Sequence, residues 1–127
     1  SPVGRTFLTD SPLSYDFAQT LDFTKVNPRF MQPNYDKNII ISDDFRKYSR
    51  DLGIASATLS IAWLLAKSES IIPIPGTRSV KHLQELAAAM EVDVTDKMIS
   101  EIENILPLGW AYGDRYSDAQ WIGPERY

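Results

Sequence analysis

The residues with the clearest chemical promise lie in one stretch, Ile72-Pro73-Ile74-Pro75-Gly76-Thr77-Arg78-Ser79-Val80-Lys81-His82-Leu83-Gln84-Glu85. An apolar, β-branched run ends in Pro-Gly, turns, and feeds the start of a helix. The first N–H groups of a helix have no partner within it and carry partial positive charge, so they make a seat for an anion. Gly76 lets a ligand come close to the backbone, and Arg78 and Lys81 add positive charge beside the seat. A phosphate group fits that chemistry. The same order of residues also describes an ordinary strand–turn–helix connection with solvated charges, and His82, the lone histidine, reads equally as a surface residue. Asp43, Asp44, Glu101 and Glu103 fall on helix faces expected to meet water and carry no assigned chemistry. With no cysteine and one histidine there is no thiolate chemistry and no expected metal site of the His/Cys kind.

Elements must hold that stretch in place. Ser1 to Leu8 opens with Pro and Gly close together, which favours a loop or the exit of a strand. Residues 9–38 carry turn formers throughout and read as a long surface excursion, of the kind that is usually functional or mobile. Helical spacing starts near Ile39, with Ile41, Phe45, Tyr48 and Leu52 on one stripe and Gly53 as its stop. Ser56 can cap a second helix, apolar nearly all round through Leu65 and therefore buried on more than one side. The run Ile71–Ile74 reads as a strand covered on both faces. Ser79 caps a helix with Val80, Leu83, Ala87 and Met90 as its stripe; Thr95 caps another with Ile99, Ile102 and Leu106 inward. Helix–strand–helix alternation argues for an α/β fold. A parallel strand needs neighbours on both edges, and one good strand supplies none, so the chain reads as a segment of a larger sheet or barrel.

Bulk properties narrow the partners. The 127 residues are 43% hydrophobic and 24% charged, which is ordinary globular composition. A net charge of -4 and a pI near 4.9 argue against a nucleic-acid surface. No apolar run approaches the roughly 20 residues that span a bilayer, and no basic-then-apolar leader opens the chain. The expectation is a cytoplasmic protein without membrane contact.

Several segments together resemble the aldo-keto reductase family. Ile-Pro-Ile-Pro-Gly-Thr-Arg-Ser-Val-Lys-His-Leu (72–83) is similar to the end of that family's eighth strand and the start of its eighth helix. Ser1 to Thr9 resembles its Ser-Pro-Leu-Gly-type segment after the seventh strand. Asn27-Pro28-Arg29-Phe30 and Asn34 to Asn38 resemble the loop entering helix seven. Ala62-Trp63-Leu64-Leu65 and Gly113-Asp114-Arg115-Tyr116 match further stretches, in the family's order and at its spacing. The resemblance implies the C-terminal part of a (β/α)8 TIM barrel, from the end of strand seven to the tail, helix-rich as a fragment, with its site at the C-terminal ends of the strands.

It also implies NADP(H) as cofactor, bound without the G-x-G-x-x-G fingerprint, which this sequence lacks. By matched position, Ser1, Pro2, Val3, Gly4 and Arg5 would line the loop over the pyrophosphate, and Arg29 would reach toward the adenine ribose. Gly76, Thr77 and Arg78 would hold the 2′-phosphate, with His82 and Glu85 near the adenine and its ribose. The family usually has Asn where this chain has Leu86, a side chain unable to hydrogen-bond. The implied activity is reduction of a small-molecule aldehyde or ketone by NADPH. The catalytic Tyr, Lys, Asp and His of the family map before this chain, so none of its residues is assigned a catalytic role and the 127 residues alone are expected to be inactive. The missing N-terminal barrel half would be supplied in cis or in trans. Two alternatives stand beside this: a cofactor-binding regulatory barrel like the potassium-channel β subunits, and a helical interaction module. Trp110, Tyr112, Tyr116, Trp121 and Tyr127 could wall a substrate pocket or anchor the tail to the barrel.

Overall fold

The computed structural model describes residues 1–122. Five α-helices follow one another: α1 (Tyr15–Thr20), α2 (Asn34–Asp51), α3 (Ser56–Lys67), α4 (Val80–Ala87) and α5 (Asp96–Ile105). Short 3-10 turns punctuate them at Gly4–Thr6, Pro28–Phe30, Ala88–Glu91 and Asp118–Gln120. Helix α3 is the spine. Every residue from Ser56 to Ala62 is buried, because α2, α4 and the Ala88–Glu91 turn all pack on it. The near-continuous apolar surface of its sequence is matched by burial on several sides.

Three apolar clusters form, the second and third of them on this spine. Phe7, Ala18, Phe30 and Tyr35 make one, Phe45, Leu59 and Ile102 a second, and Ile61, Ala62 and Ala89 a third. The stops and caps behave as their residue types require. Gly53 ends α2 with φ +70. The Ser79 hydroxyl accepts from the His82 N–H and Thr95 from the Met98 N–H, at 3.4 and 3.2 Å. Helix α3 differs: Ala55 occupies its cap position, and the Asp10 carboxylate accepts from the Ser56 N–H and, at 2.6 Å, from its hydroxyl. The cap expected from Ser56 is thus supplied by a residue 46 positions away.

Helix α2 begins at Asn34, ahead of the Ile39 expected from apolar spacing. Its buried face is largely polar: Tyr35, Asn38, Ser42, Phe45, Arg46 and Ser49 recur every three or four residues. Arg46 is buried and satisfied by the carbonyls of Phe7 and Ile39 and by Asp43. Of the expected apolar stripe, Phe45 is fully buried while Leu52 is exposed. The excursion 9–38 is also less irregular than its turn formers suggest. Ser14 caps α1 by accepting from the Phe17 N–H, and the buried Thr24 hydroxyl donates to the Ala18 carbonyl.

The expected strand at Ile71–Ile74 does not form: among the described residues there is no strand, and 71–77 run without regular structure. Ile72 and Ile74 stand 84% and 85% exposed. The physical reason is pairing. A strand is defined by hydrogen bonds to a neighbour, and no second strand lies beside this one. The stripe of α4 shifts for a related reason. Val80, Leu83 and Met90 are exposed, whereas Leu86 and Ala89 pack on α3.

The Tyr35 hydroxyl donates to the Leu13 carbonyl at 2.7 Å. Burial, then the Asp36 carboxylate, raise the pKa of this phenol. A raised native value favours the neutral form, so its stabilisation is complete below the ordinary tyrosine pKa of about 10 and is lost as pH climbs through the native value. Tyr35→Phe should cost about 1 kcal/mol at pH 8. Urea midpoints taken from pH 8 to 11 should fall less steeply for the variant than for the parent; parallel curves would contradict this.

Candidate functional site

Residues 1–5 fold back over the start of the chain. The Gly4 N–H donates to the Ser1 carbonyl at 2.9 Å, and the Leu8 N–H to Val3 at 3.1 Å. Gly4, Arg5 and Thr6 all have positive φ, at 58, 54 and 81°. For Arg5 and Thr6 this left-handed conformation costs on the order of 1 kcal/mol each. It turns the Arg5 guanidinium outward onto aromatic faces, 4.8 Å from the Tyr116 ring centroid and 5.2 Å from that of Phe23. Ser60 of α3 holds the turn from below by donating to the Pro2 carbonyl at 2.6 Å.

Arg29 reaches the same region from the Pro28–Phe30 turn. Asn27 caps that turn by accepting from the Arg29 N–H, and Arg29 Nε donates to the Gly113 carbonyl at 3.3 Å. Its pKa is lowered, first by burial, then by the like charges of Arg5 and Arg115, with Asp114 opposing. Ser1, Pro2, Gly4 and Arg29 line one cleft of about 570 Å³, whose far wall includes Trp63 and Trp110. At its rim Lys67 pairs with Glu103 at 2.7 Å and holds that carboxyl below its usual pKa. Val3 instead points into the cluster of Ile61, Ala62 and Ala89.

The second predicted segment does not line that cleft. Gly76, Thr77, Arg78 and His82 are exposed. The Thr77 hydroxyl accepts from the Ser79 N–H at 3.1 Å and shapes the turn into α4. A Cβ at Gly76 would meet nothing within 4 Å, so the space before the helix is open to a ligand. Ser79 already satisfies the His82 N–H. Lys81 lies 3.9 Å from the Glu85 carboxylate, while the Glu85 carbonyl accepts from Thr58 of α3 at 2.7 Å. That bond ties α4 to the spine. Leu86, where an asparagine was expected, packs with Val3 against α3. Its apolar side chain contributes to the core and leaves no side-chain donor there.

The tail was the part least readable in advance. Asn38 Nδ2 donates to the carbonyls of Arg29 and Tyr112, and its Oδ1 accepts from the Tyr112 N–H at 2.7 Å. Asn27 Nδ2 donates to the Arg115 carbonyl at 2.9 Å, and Gln120 Nε2 to Phe23. The aromatic side chains serve as anchors: Tyr116 meets Trp121 edge-on at 5.0 Å, Trp110 packs on the Phe7 cluster, and Lys37 lies over Tyr112. Trp110 also lines the cleft. Tyr127 lies outside the described residues. The Asp114–Arg115 neighbours form a local turn, with the Asp114 carboxylate accepting from the Arg115 backbone N–H at 2.6 Å.

This combination fits a dinucleotide phosphate: a guanidinium-rich turn at one place and an open glycine turn before a capped helix at another. Among the described residues no helix is long and apolar enough to cross a membrane.

Comparison with known proteins agrees with the residue pattern. The model of the aldo/keto reductase family matches residues 1–107. The chain is 36% identical over 116 residues to aldo-keto reductase yakc [NADP(+)] of Schizosaccharomyces pombe, covering 91% of this chain and 34% of that protein. It is 33% identical to probable aldo-keto reductase 1 of Glycine max, over 91% of this chain and 33% of the relative. Aldo-keto reductase str7 of Strobilurus tenacellus is 28% identical, over 91% and 34%. The chain thus spans about a third of the length of the curated relatives it matches. No solved structure matches.

Tail docking has a sharp steric requirement. Gly113 has φ +86, and a Cβ there would fall 2.7 Å from the Pro28 carbonyl and 2.9 Å from Asn34 Nδ2. Gly113→Ala should weaken docking by roughly 2 kcal/mol, from backbone strain and contact together. Limited proteolysis should then cut within 110–122 several-fold faster while helix content stays constant. Equal cutting rates would mean that the tail tolerates the methyl group.

Proposed function

This chain belongs to the aldo/keto reductase family, and from that premise we propose that it is the C-terminal portion, residues 1–127, of an NADP(H)-dependent (β/α)8 barrel oxidoreductase that reduces aldehydes or ketones to alcohols in the cytoplasm. The observation that carries the cofactor reading is that Arg29 lines one cleft with Ser1, Pro2 and Gly4, beside the turn in which Arg5 adopts a left-handed conformation. Guanidinium groups bind phosphate oxygens in a planar, two-pronged geometry that a lysine cannot reproduce. The printed name of the Schizosaccharomyces pombe relative, which specifies NADP(+), supports the same reading.

In this proposal Ser1–Arg5 hold the diphosphate side, Arg29 reaches toward the adenine ribose, and Gly76, Thr77 and Arg78 hold the 2′-phosphate at the start of α4. His82 and Glu85 stand beside the adenine and its ribose. A bound nicotinamide cofactor supplies the hydride. The residues of this chain bind and orient it; the groups that protonate the carbonyl oxygen belong to the part of the barrel that precedes residue 1. The exposed Ile72, Ile74, Val80, Leu83 and Met90 support the need for that part. Exposed apolar side chains of this kind are commonly buried against a neighbour, and the 72–74 backbone, unpaired among the described residues, suits an adjacent strand.

Two measurements test this. Titration of the full-length protein with NADPH and NADH should show a preference for NADPH that Arg78→Gln reduces about tenfold, the scale of one charged hydrogen bond. An unchanged preference would remove Arg78 from the 2′-phosphate. Separately, full-length protein should oxidise NADPH when given aldehydes, and the 127 residues alone should not. Turnover by those residues alone would overturn the placement of the catalytic groups. NADPH binding without turnover by the full-length protein would favour a regulatory barrel.

A further inference from the structure

Arg29 is held at three points, and each of them leads to the tail. Its N–H donates to Asn27 Oδ1 at 3.2 Å, its carbonyl accepts from Asn38 Nδ2 at 3.1 Å, and its Nε donates to the Gly113 carbonyl at 3.3 Å. The same two carboxamides grip the tail. Asn27 Nδ2 donates to the Arg115 carbonyl at 2.9 Å, and Asn38 bonds the N–H and the carbonyl of Tyr112 at 2.7 and 3.0 Å. Asn38 thereby engages both of its donors and its acceptor. Just upstream, Pro107, Leu108, Gly109 and Trp110 line the cleft that Arg29 lines with Ser1, Pro2 and Gly4. The tail is thus a wall of the cleft at 107–110 and a clamp on Arg29 at 112–115.

We propose that Asn38 is a positioning residue for Arg29, and that through it occupancy of the cleft is linked to docking of the tail. The proposal rests on the dinucleotide reading above and adds a regulation of that site. An arginine free to rotate gives up rotamer freedom when it meets a ligand, and that cost is subtracted from binding. With the tail docked, Nε already lies on the Gly113 carbonyl, so the side chain is ordered before the ligand arrives. The bond uses one of the five N–H donors of a guanidinium. With the tail released, Arg29 loses that bond and the cleft loses its 107–110 wall. Ligand binding therefore favours the docked tail by the same factor by which docking favours the ligand. Gly113 is where the clamp can be loosened without altering Asn38 or Arg29, since a Cβ there would fall 2.7 Å from the Pro28 carbonyl.

The test uses the full-length protein. Hydrogen exchange of the backbone amides at 110–115 is followed with and without saturating NADPH, and NADPH affinity is measured by titration. In the parent, NADPH should slow exchange at Tyr112 about fivefold or more, while the amides of Leu52 and Gly53 at the end of α2 keep their rates. A purely structural role for Asn38 gives no such dependence on NADPH. Gly113→Ala should speed exchange at 110–115 and weaken NADPH several-fold. Asn38→Leu keeps the volume but offers no donor or acceptor, and should weaken NADPH about tenfold, since it frees the Arg29 main chain as well as the tail. Should Asn38→Leu fail to fold, Gly113→Ala carries the comparison. A folded Asn38→Leu protein with the parent's affinity would overturn the role of Asn38. Tyr112 exchange that is unchanged or faster with NADPH would overturn the linkage and leave the dinucleotide reading standing. A parent protein that binds no NADPH would overturn the dinucleotide reading and this proposal together.

Discussion

The arrangement of this chain depends on two buried carboxamides. Asn27 and Asn38 are both completely inaccessible to solvent. A polar group in that position costs several kcal/mol, about 1–3 by mutational measures, unless its donors and acceptor are met. Here they are met by main-chain groups of segments far apart in sequence. Asn38 joins the Arg29 carbonyl to both polar groups of Tyr112, and Asn27 joins its own turn to Arg115. A carboxamide can stand in for a strand neighbour in this way because it presents an N–H and a C=O side by side. The apolar clusters give the molecule cohesion, whereas these two side chains decide where Arg29 and the tail stand relative to one another.

That division explains what the sequence made legible. Caps at Ser79 and Thr95 and the stop at Gly53 are local signals, decided within one helical turn, and each holds in the structure. The burial of α3 was legible only in its apolar residues; Ser56, Thr58 and Ser60 are buried with them because Asp10 and the carbonyls of Glu85 and Pro2 accept from their hydroxyls. The face of α2 was misread because apolar periodicity is blind to buried Asn, Ser and Arg. Asn38 and Arg46 pack inward because partners from distant segments await them, whereas Ser42 and Ser49 donate to the nearby carbonyls of Ile39 and Ile54. The 71–74 run failed in the other direction: its strand character is a promise of pairing, and pairing requires a second chain segment. The family pattern singled out the turns at 1–5 and 76–78, but nothing local to Arg115 could reveal that its carbonyl accepts from Asn27, the cap of the Arg29 turn.

The two faces of α3 have different fates. One side meets α2 and α5 through Phe45, Leu59 and Ile102. The other meets α4 and the Ala88–Glu91 turn through small residues, Ala62 and Ala89, with Leu86 and Val3 packed around them. Small side chains bring the helices close, and Leu86 fills space at that contact. This gives a structural role to the position where the family usually has an asparagine: the side chain serves the seam between α3 and α4.

The cap of α3 has a further consequence, for folding. Most helices carry their own start signal and can form a first turn early, within a microsecond or so. Helix α3 borrows its start from Asp10, across a loop whose closure has an entropic cost. The first turn of the spine therefore becomes fully satisfied only after the N-terminal segment has returned to it. Amide hydrogens at Ser56 report arrival of that segment rather than formation of the helix, and the order of events runs from long-range closure to local order at this one place.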